Sequence, residues 1–312
     1  MKDGILLLFV LLILVACGQE SPPAENNAAQ GATSGGGLRI VATTTIIGAV
    51  VQQVAGEQAT VTVLMPVGSD PHAFQPRPQD IAAVADADVV FINGLGLESF
   101  LEPMLENAGG AARVIALSDQ IVALEAEGEE EEGHEHEGQN PHVWLDPNNV
   151  ILWTEQIEKT LGELDPAQAA SYTTNAEVYQ LELQELDAWI AEQVRTIPEE
   201  RRQLVTDHEI FGYFAARYGF EQVGAVIPSL STMAEPSAQE MAALQDAVRQ
   251  QEVSAIFMST TVSQGLVNSV AADTGTQLIT LYTDSLSGLN GPAATYVDLM
   301  RYNVTAIVDA LR

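Results

Sequence analysis

The chain has 312 residues, with 43 Asp or Glu against 12 Lys or Arg, which gives a formal net charge of −31 at pH 7. A surface this acidic repels nucleic acid and attracts cations, so we expect no nucleic-acid partner, although high solubility alone would also account for the charge. The length is enough for a sizeable core and favours two domains.

Residues 1–17 are predicted to be a lipoprotein signal peptide. Lys2 supplies a weak positive charge, and the apolar stretch over residues 5–15 is too short to span a bilayer as a stable helix. It ends in Leu-Val-Ala-Cys, which resembles a bacterial lipobox, and Cys17 is the only cysteine in the chain. An uncleaved signal with a chance cysteine is the alternative. Lipid on Cys17 would anchor the mature protein to the cell membrane from outside the cytoplasm.

Residues 18–37 consist mainly of Gly, Pro, Ala, Ser and Asn and predict a flexible tether, so the fold should begin near Leu38. Residues 38–164, a predicted N-terminal lobe, then alternate between strand and helix patterns, as in an open parallel sheet. The predicted strands cover 38–44, 60–66, 88–94 and 112–118. The predicted helices cover 46–56 and 78–87, and a further helical run follows near residue 153.

An acidic loop is predicted over residues 125–138, which contain eight glutamates and two histidines, His134 and His136. Such low complexity favours a solvated, disordered segment. The two histidines could capture metal ions, or the loop could be idle, and the sequence leaves both readings open.

A long linking helix is predicted over residues 165–198, with Asp165 as its N-cap and Pro166 at its first position. Apolar residues recur at steps of three and four from Tyr172 to Ile197, and this spacing predicts one buried stripe. A helix of this length, roughly 45 Å at 1.5 Å per residue, would act as a strut between two halves.

Residues 199–312 repeat the alternation and predict a C-terminal lobe. The predicted strands cover 202–208, 222–228, 253–259 and 277–283, and the predicted helices cover 209–220, 236–251 and 295–311. Ser237 and Glu240 have the spacing of a capping box. The predicted fold is therefore α/β, with two lobes that each hold a mostly parallel sheet flanked by helices, joined by one long rigid helix.

Three histidines and one aspartate fall in loops or at the ends of predicted strands. His72 and His142 lie in loops, His208 is the last residue of the predicted strand 202–208, and Asp284 follows the predicted strand 277–283. Parallel sheets bind ligands at the carboxyl ends of their strands, so a cleft between the lobes would bring the four together. Each residue alone is more often structural than a ligand. Three imidazoles and a carboxylate are nevertheless a set that zinc favours, and a filled coordination shell favours capture over catalysis.

Three aspartates near these residues, Asp70, Asp146 and Asp207, could orient the imidazoles. Because imidazoles bind metal only when neutral, we expect affinity to fall as the pH drops through the histidine range.

Several stretches, taken in order, resemble the cluster A-I (cluster 9) solute-binding lipoproteins of metal-ion ABC transporters. They are VATTTIIGAVVQQVAG, PVGSDPHAFQPRPQDI, NGLGLE, NPHVWLDP, VTDHEIFGYFAARYGF, LSTMAEPSAQE and YTDSL. The resemblance covers residues 38–312. It implies two α/β lobes on a rigid helix, a metal between them, and His72, His142, His208 and Asp284 as its ligands.

The resemblance also bears on the metal and the partner. The third ligand is more often His in zinc binders and Glu in manganese binders, so His208 favours Zn²⁺ without excluding Mn²⁺ or iron. Many members carry Glu where Ser259 stands. If that glutamate supports the metal site or the exit of the metal, another residue must do so here. The partner implied is an ABC permease, and we expect a monomer with small lobe motion.

The sequence therefore predicts a zinc-binding protein outside the cytoplasm that delivers Zn²⁺ to a permease, and not an enzyme. A zinc hydrolase is a weaker alternative, because the chain has neither His-Glu-x-x-His nor Gly-x-Ser-x-Gly. An adhesin is another, but no stretch of the sequence has an adhesive character.

Overall fold

The structure is a computed structural model that describes Met1 and residues 37–56, 59–108, 111–125 and 138–312. The predicted signal peptide with Cys17, the tether up to residue 36, and His134 and His136 of the acidic loop lie outside the described residues. Within the described ranges, no helix combines the length and apolarity that a membrane crossing requires.

The N-terminal lobe is built on four parallel strands in the order β2-β1-β3-β4. The strands are β1 (Arg39–Ala42), β2 (Thr60–Val63), β3 (Val89–Ile92) and β4 (Arg113–Ala116). Its helices are α1 (Thr45–Ala55), α2 (Pro78–Asp86) and α3 (Leu101–Ala108). All four strands lie within predicted stretches. Helix α3 was not predicted, because Pro103 resembles a turn signal although proline is tolerated in a first helical turn.

Two long helices follow, α4 (Pro147–Leu164) and α5 (Ala169–Val194). The prediction that Asp165 caps the linking helix is wrong. Asp165 instead ends α4, since its backbone N–H donates to the Leu161 carbonyl at 2.8 Å, and its side chain accepts from the Ala167 N–H at 3.2 Å. The Asp-Pro pair thus marks a turn between two helices rather than the start of one.

The C-terminal lobe repeats the arrangement with four parallel strands in the order β6-β5-β7-β8. They are β5 (Gln203–Thr206), β6 (Glu221–Ala225), β7 (Ala255–Ser259) and β8 (Gln277–Leu281). The helices are α6 (Gly212–Tyr218), α7 (Ala238–Gln250), α8 (Gln264–Thr274) and α9 (Tyr296–Leu311). The capping box predicted at Ser237 and Glu240 is confirmed. Helix α8 was not predicted, because it buries only a thin apolar face.

Helix α5 packs against α1 and α4 of the first lobe and α9 of the second. Its predicted apolar stripe is buried and belongs to one core cluster that runs from the first lobe, for example Trp153, to the second, for example Tyr296. On its polar side Asp187 accepts hydrogen bonds from Asn148 of α4 at 3.2 Å and from Arg217 of α6 at 2.5 and 3.0 Å. The long helix is therefore tied to both lobes by apolar and polar contacts, and the predicted fold class is confirmed.

Candidate metal centre

The four residues singled out in the sequence lie together between the two sheets. His72 follows β2, His142 precedes α4, and His208 and Asp284 follow β5 and β8. Their imidazole nitrogens and carboxylate oxygen all lie within 4.8 Å of one another. Loops at strand ends from both lobes thus bring three imidazoles and one carboxylate to a single point.

The site is buried, and two of its donor atoms lack hydrogen-bond partners among the described residues. His142 and His208 are fully buried and Asp284 is 3% exposed, whereas His72 is partly exposed. Nε2 of His208 and Oδ1 of Asp284 have no hydrogen-bond partner among the described residues. Nε2 of His72 and Nε2 of His142 lie 3.2 Å apart. Because buried polar atoms without partners are costly, this convergence indicates that a ligand belongs there.

Asn140 fixes the ring of His142. Its Oδ1 accepts from the backbone N–H of His142 at 3.0 Å and lies 2.8 Å from Nδ1 of the same ring. A carbonyl oxygen can only accept, so Nδ1 carries the proton and Nε2 presents its lone pair to the centre of the site. Trp144 packs edge-to-face with this ring, with ring centroids 5.4 Å apart.

Asp207 fixes the ring of His208 in the same way, but with a charged oxygen. Its Oδ1 lies 2.8 Å from Nδ1 of His208, and its Oδ2 accepts from the backbone N–H of Ser259 at 2.6 Å. Nε2 of His208 is therefore directed to the site. The prediction that Asp207 orients an imidazole is confirmed by this contact.

The other two aspartates have different partners. Asp70 accepts from the backbone N–H of His72 at 2.9 Å and from the Thr232 hydroxyl at 2.6 Å, which links the two lobes. Asp146 caps α4 by accepting from the backbone N–H of Asn148 at 2.9 Å. Neither carboxylate hydrogen bonds to an imidazole in the described contacts, so the prediction that they orient the rings is wrong.

The electrostatics of the imidazoles differ between the lobes. Burial, together with the charge of His208, lowers the pKa of His72 to about 4. The same causes, with His72 added, place the pKa of His142 well below its ordinary value. Burial also acts to lower the pKa of His208, but the hydrogen bond and charge of Asp207 outweigh it and raise that pKa. The first-lobe imidazoles are thus neutral donors, ready for a cation.

Asp284 is the carboxylate of the set. Burial raises its pKa, and the charge of Asp207 adds to this, against the opposing effects of His208 and of two threonine hydroxyls. A cation at the centre would balance the negative charge of this buried carboxylate.

Sequence reasoning missed Asn140 and the two threonines at Asp284, Thr261 and Thr283. Asn140 stands two residues before His142, and Thr283 stands directly before Asp284. Proximity in the chain was the available signal for these two. Thr261 is 23 residues from Asp284 and is brought to it only by the pairing of β7 with β8.

The chain is similar to known metal-binding proteins of transport systems. A family model described as zinc-uptake complex component A, periplasmic, matches residues 40–310. The chain is 40% identical over 266 residues to the manganese-binding lipoprotein MntA of Halalkalibacterium halodurans, covering 85% of each chain. It is 30% identical over 269 residues to the metal ABC transporter substrate-binding lipoprotein SloC of Streptococcus mutans, covering 84% of this chain and 86% of that one.

A solved structure shares the fold as well. The periplasmic zinc binding protein TroA from Treponema pallidum superposes with a TM-score of 0.80 at 28% identity, over 88% of this chain and 99% of that one. From the family match and the relatives together, the chain belongs to the zinc-uptake complex component A family, as a metal-binding component of an ABC transporter and not an enzyme.

Proposed function

We propose that this protein captures Zn²⁺ outside the cytoplasm, with His72, His142, His208 and Asp284 as ligands, and delivers it to an ABC permease. The observation that carries the proposal is the convergence of four donor residues within 4.8 Å, two of them with buried donor atoms that lack partners. Asn140 and Asp207 hold two of the rings in the tautomer that a metal ion requires.

The donor set supports zinc. Three imidazole nitrogens and one carboxylate oxygen suit the tetrahedral geometry of Zn²⁺, whereas Mn²⁺ prefers a larger number of oxygen ligands. Four protein ligands complete a tetrahedral shell without a position for water, which suits carriage rather than catalysis.

Manganese is the second candidate cargo, because the 40% identical relative is named as a manganese-binding lipoprotein. Iron is a third cargo for the same donor set, since imidazole and carboxylate also suit iron. All three cargoes would leave the transporter role unchanged.

The placement of the protein in the cell is part of the proposal. Residues 1–17 would be removed as a signal peptide, lipid on Cys17 would hold the mature monomer to the membrane, and residues 18–37 would be the tether. Residues 38–164 and 199–312 would be the two lobes, with residues 165–198 between them. Both relatives described above are named as lipoproteins, which supports the anchor. His134 and His136 would assist capture.

The test is an equilibrium competition titration of the purified protein with Zn²⁺ and Mn²⁺ against a chelator of known affinity. We expect one tight zinc site, weaker binding of manganese, and a loss of zinc affinity of more than about a hundredfold in His208→Ala, since even outer partners of metal ligands are worth 10- to 100-fold. Tighter binding of manganese than of zinc would change the proposed cargo from zinc to manganese. Absence of a tight site for either metal would overturn the function.

A further inference from the structure

We propose that Thr261 and Thr283 determine which metal the site prefers, because their hydroxyls hold one oxygen of Asp284 and leave only the other oxygen for the cargo. This inference rests on the proposed function, since it requires that Asp284 binds a metal ion. It assigns a specificity role to two residues that lie outside the set of four ligands.

The two oxygens of Asp284 have opposite environments. Oδ2 accepts from the hydroxyl of Thr261 at 2.9 Å and from the hydroxyl of Thr283 at 2.9 Å. Oδ1 is buried and has no partner among the described residues. A carboxylate held in this way is presented to the centre of the site through one oxygen.

Ser259 reinforces the arrangement. Its hydroxyl lies within hydrogen-bond distance of the Thr283 hydroxyl, and its backbone N–H donates to Asp207. A hydroxyl has one proton, and that of Thr283 is given to Asp284, so the Ser259 hydroxyl must be the donor to Thr283. The hydrogen bonds therefore all donate in one direction, from Ser259 to Thr283 and from Thr283 to Asp284. All three residues are buried.

This network limits the number of ligands that a bound ion can have. With Oδ2 engaged twice, Asp284 contributes one oxygen, and the described donors total three nitrogens and one oxygen. Four ligands satisfy Zn²⁺, but Mn²⁺ prefers near-octahedral coordination rich in oxygen. If Oδ2 were free, Asp284 could bind through both oxygens and supply the additional ligand that manganese needs.

The test compares the ratio of zinc affinity to manganese affinity in the full protein and in two variants, Thr261→Val and Thr283→Val. Valine keeps the shape of threonine and removes the hydroxyl. We expect the ratio to fall by about tenfold in each variant, the scale of outer-partner effects on metal sites. Thr261→Ser, which keeps the hydroxyl, should keep the affinity ratio of the unaltered protein. Thr260→Val is the matched control, because Thr260 is exposed and adjacent.

The outcomes separate the inference from the function it rests on. Equal weakening of both metals, or an unchanged ratio, would mean that the threonines are only structural and would overturn the inference. Should the valine variants fail to fold, X-ray absorption at the zinc edge of the unaltered protein decides: four light-atom ligands support the inference, and five or six overturn it. Failure of the unaltered protein to bind either metal would overturn the proposed function itself.

Discussion

The two halves of the metal centre present similar donors but support them in different ways. In the first lobe His142 is held by the neutral amide of Asn140, and the pKa values of His72 and His142 are lowered by burial. In the second lobe His208 is held by the carboxylate of Asp207, and its pKa is raised. The first half therefore offers neutral nitrogen, and the second half offers nitrogen together with charge.

This difference indicates how the site would balance the charge of a bound dication. A buried charge is costly unless it is balanced nearby. Asp207 and Asp284, both almost fully buried in the second lobe, would supply two carboxylates for one divalent ion. The first lobe would contribute neutral nitrogen ligands, and the second lobe would contribute the negative charge that balances the ion.

The largest expected effect comes from removing charge from the second half. Asp207→Asn should weaken zinc binding by about a hundredfold, whereas Asn140→Ala, which removes a neutral support, should weaken it by about tenfold. Competition titration of the two variants at the same pH measures both losses. Equal losses would contradict the division of roles between the lobes.

The pH dependence sharpens the same comparison. His208 has the raised pKa, so protons compete with the metal there first, and zinc affinity should fall by about tenfold per pH unit below that pKa. His72, whose pKa is lowered to about 4, should add to the slope only near that pH. In Asp207→Asn the whole profile should move to lower pH, because His208 loses the partner that makes it basic. A profile that stays in place would show that a different group titrates.

Protonation of His208 should affect the stability of the metal-free protein in the opposite direction to zinc affinity. As the pH drops, zinc affinity falls but the free energy of unfolding rises. A raised pKa in the folded state contributes stability below the pKa of the unfolded chain, and that stability is lost as the pH rises through the folded pKa. Denaturant unfolding of the metal-free protein across this range, beside Asp207→Asn, measures the difference. We expect the variant to lose the stability gained toward low pH.

A smaller effect is expected at Gly212, the first residue of α6. A Cβ there would lie 2.6 Å from Nδ2 of Asn140. Asn140 is buried, and its Oδ1 accepts from His142. Gly212→Ala should therefore displace Asn140 and weaken zinc binding by a few-fold to about tenfold, without a change in any ligand.

The control is Gly265→Ala in α8, where a Cβ would meet nothing within 4 Å. There alanine should leave binding unchanged and raise the free energy of unfolding by up to about 1 kcal/mol. Similar behaviour of the two variants in the titration would argue against the steric link from Gly212 to His142.

Much of the fold could be predicted from the sequence, because strand and helix periodicities alternate clearly and the ligand loops follow strand ends. The position of His208, two residues after the end of β5, is an example. Local signals gave a wrong prediction where the same residues occur in two kinds of structure. Asp165-Pro166 marks a turn between two helices, although the same pair often starts a helix. Helices α3 and α8 were missed because a proline or a thin apolar face hides their periodicity.

The arrangement around the ligands was less predictable. That Asp207 rather than Asp70 reaches an imidazole depends on side-chain directions, which residue types alone do not specify. The contact of Thr261 with Asp284 depends on strand pairing. Preference between zinc and manganese depends on such contacts, and this is why donor types alone gave only an expectation.

The central claim is most directly tested by a crystal structure of the protein grown with equimolar Zn²⁺ and Mn²⁺, with anomalous differences measured at both absorption edges. We predict a zinc signal at one site, with the ion about 2.0–2.2 Å from Nε2 of His72, His142 and His208 and from Oδ1 of Asp284. A manganese signal there, an ion bound by both oxygens of Asp284, or an ion bound elsewhere would contradict the account.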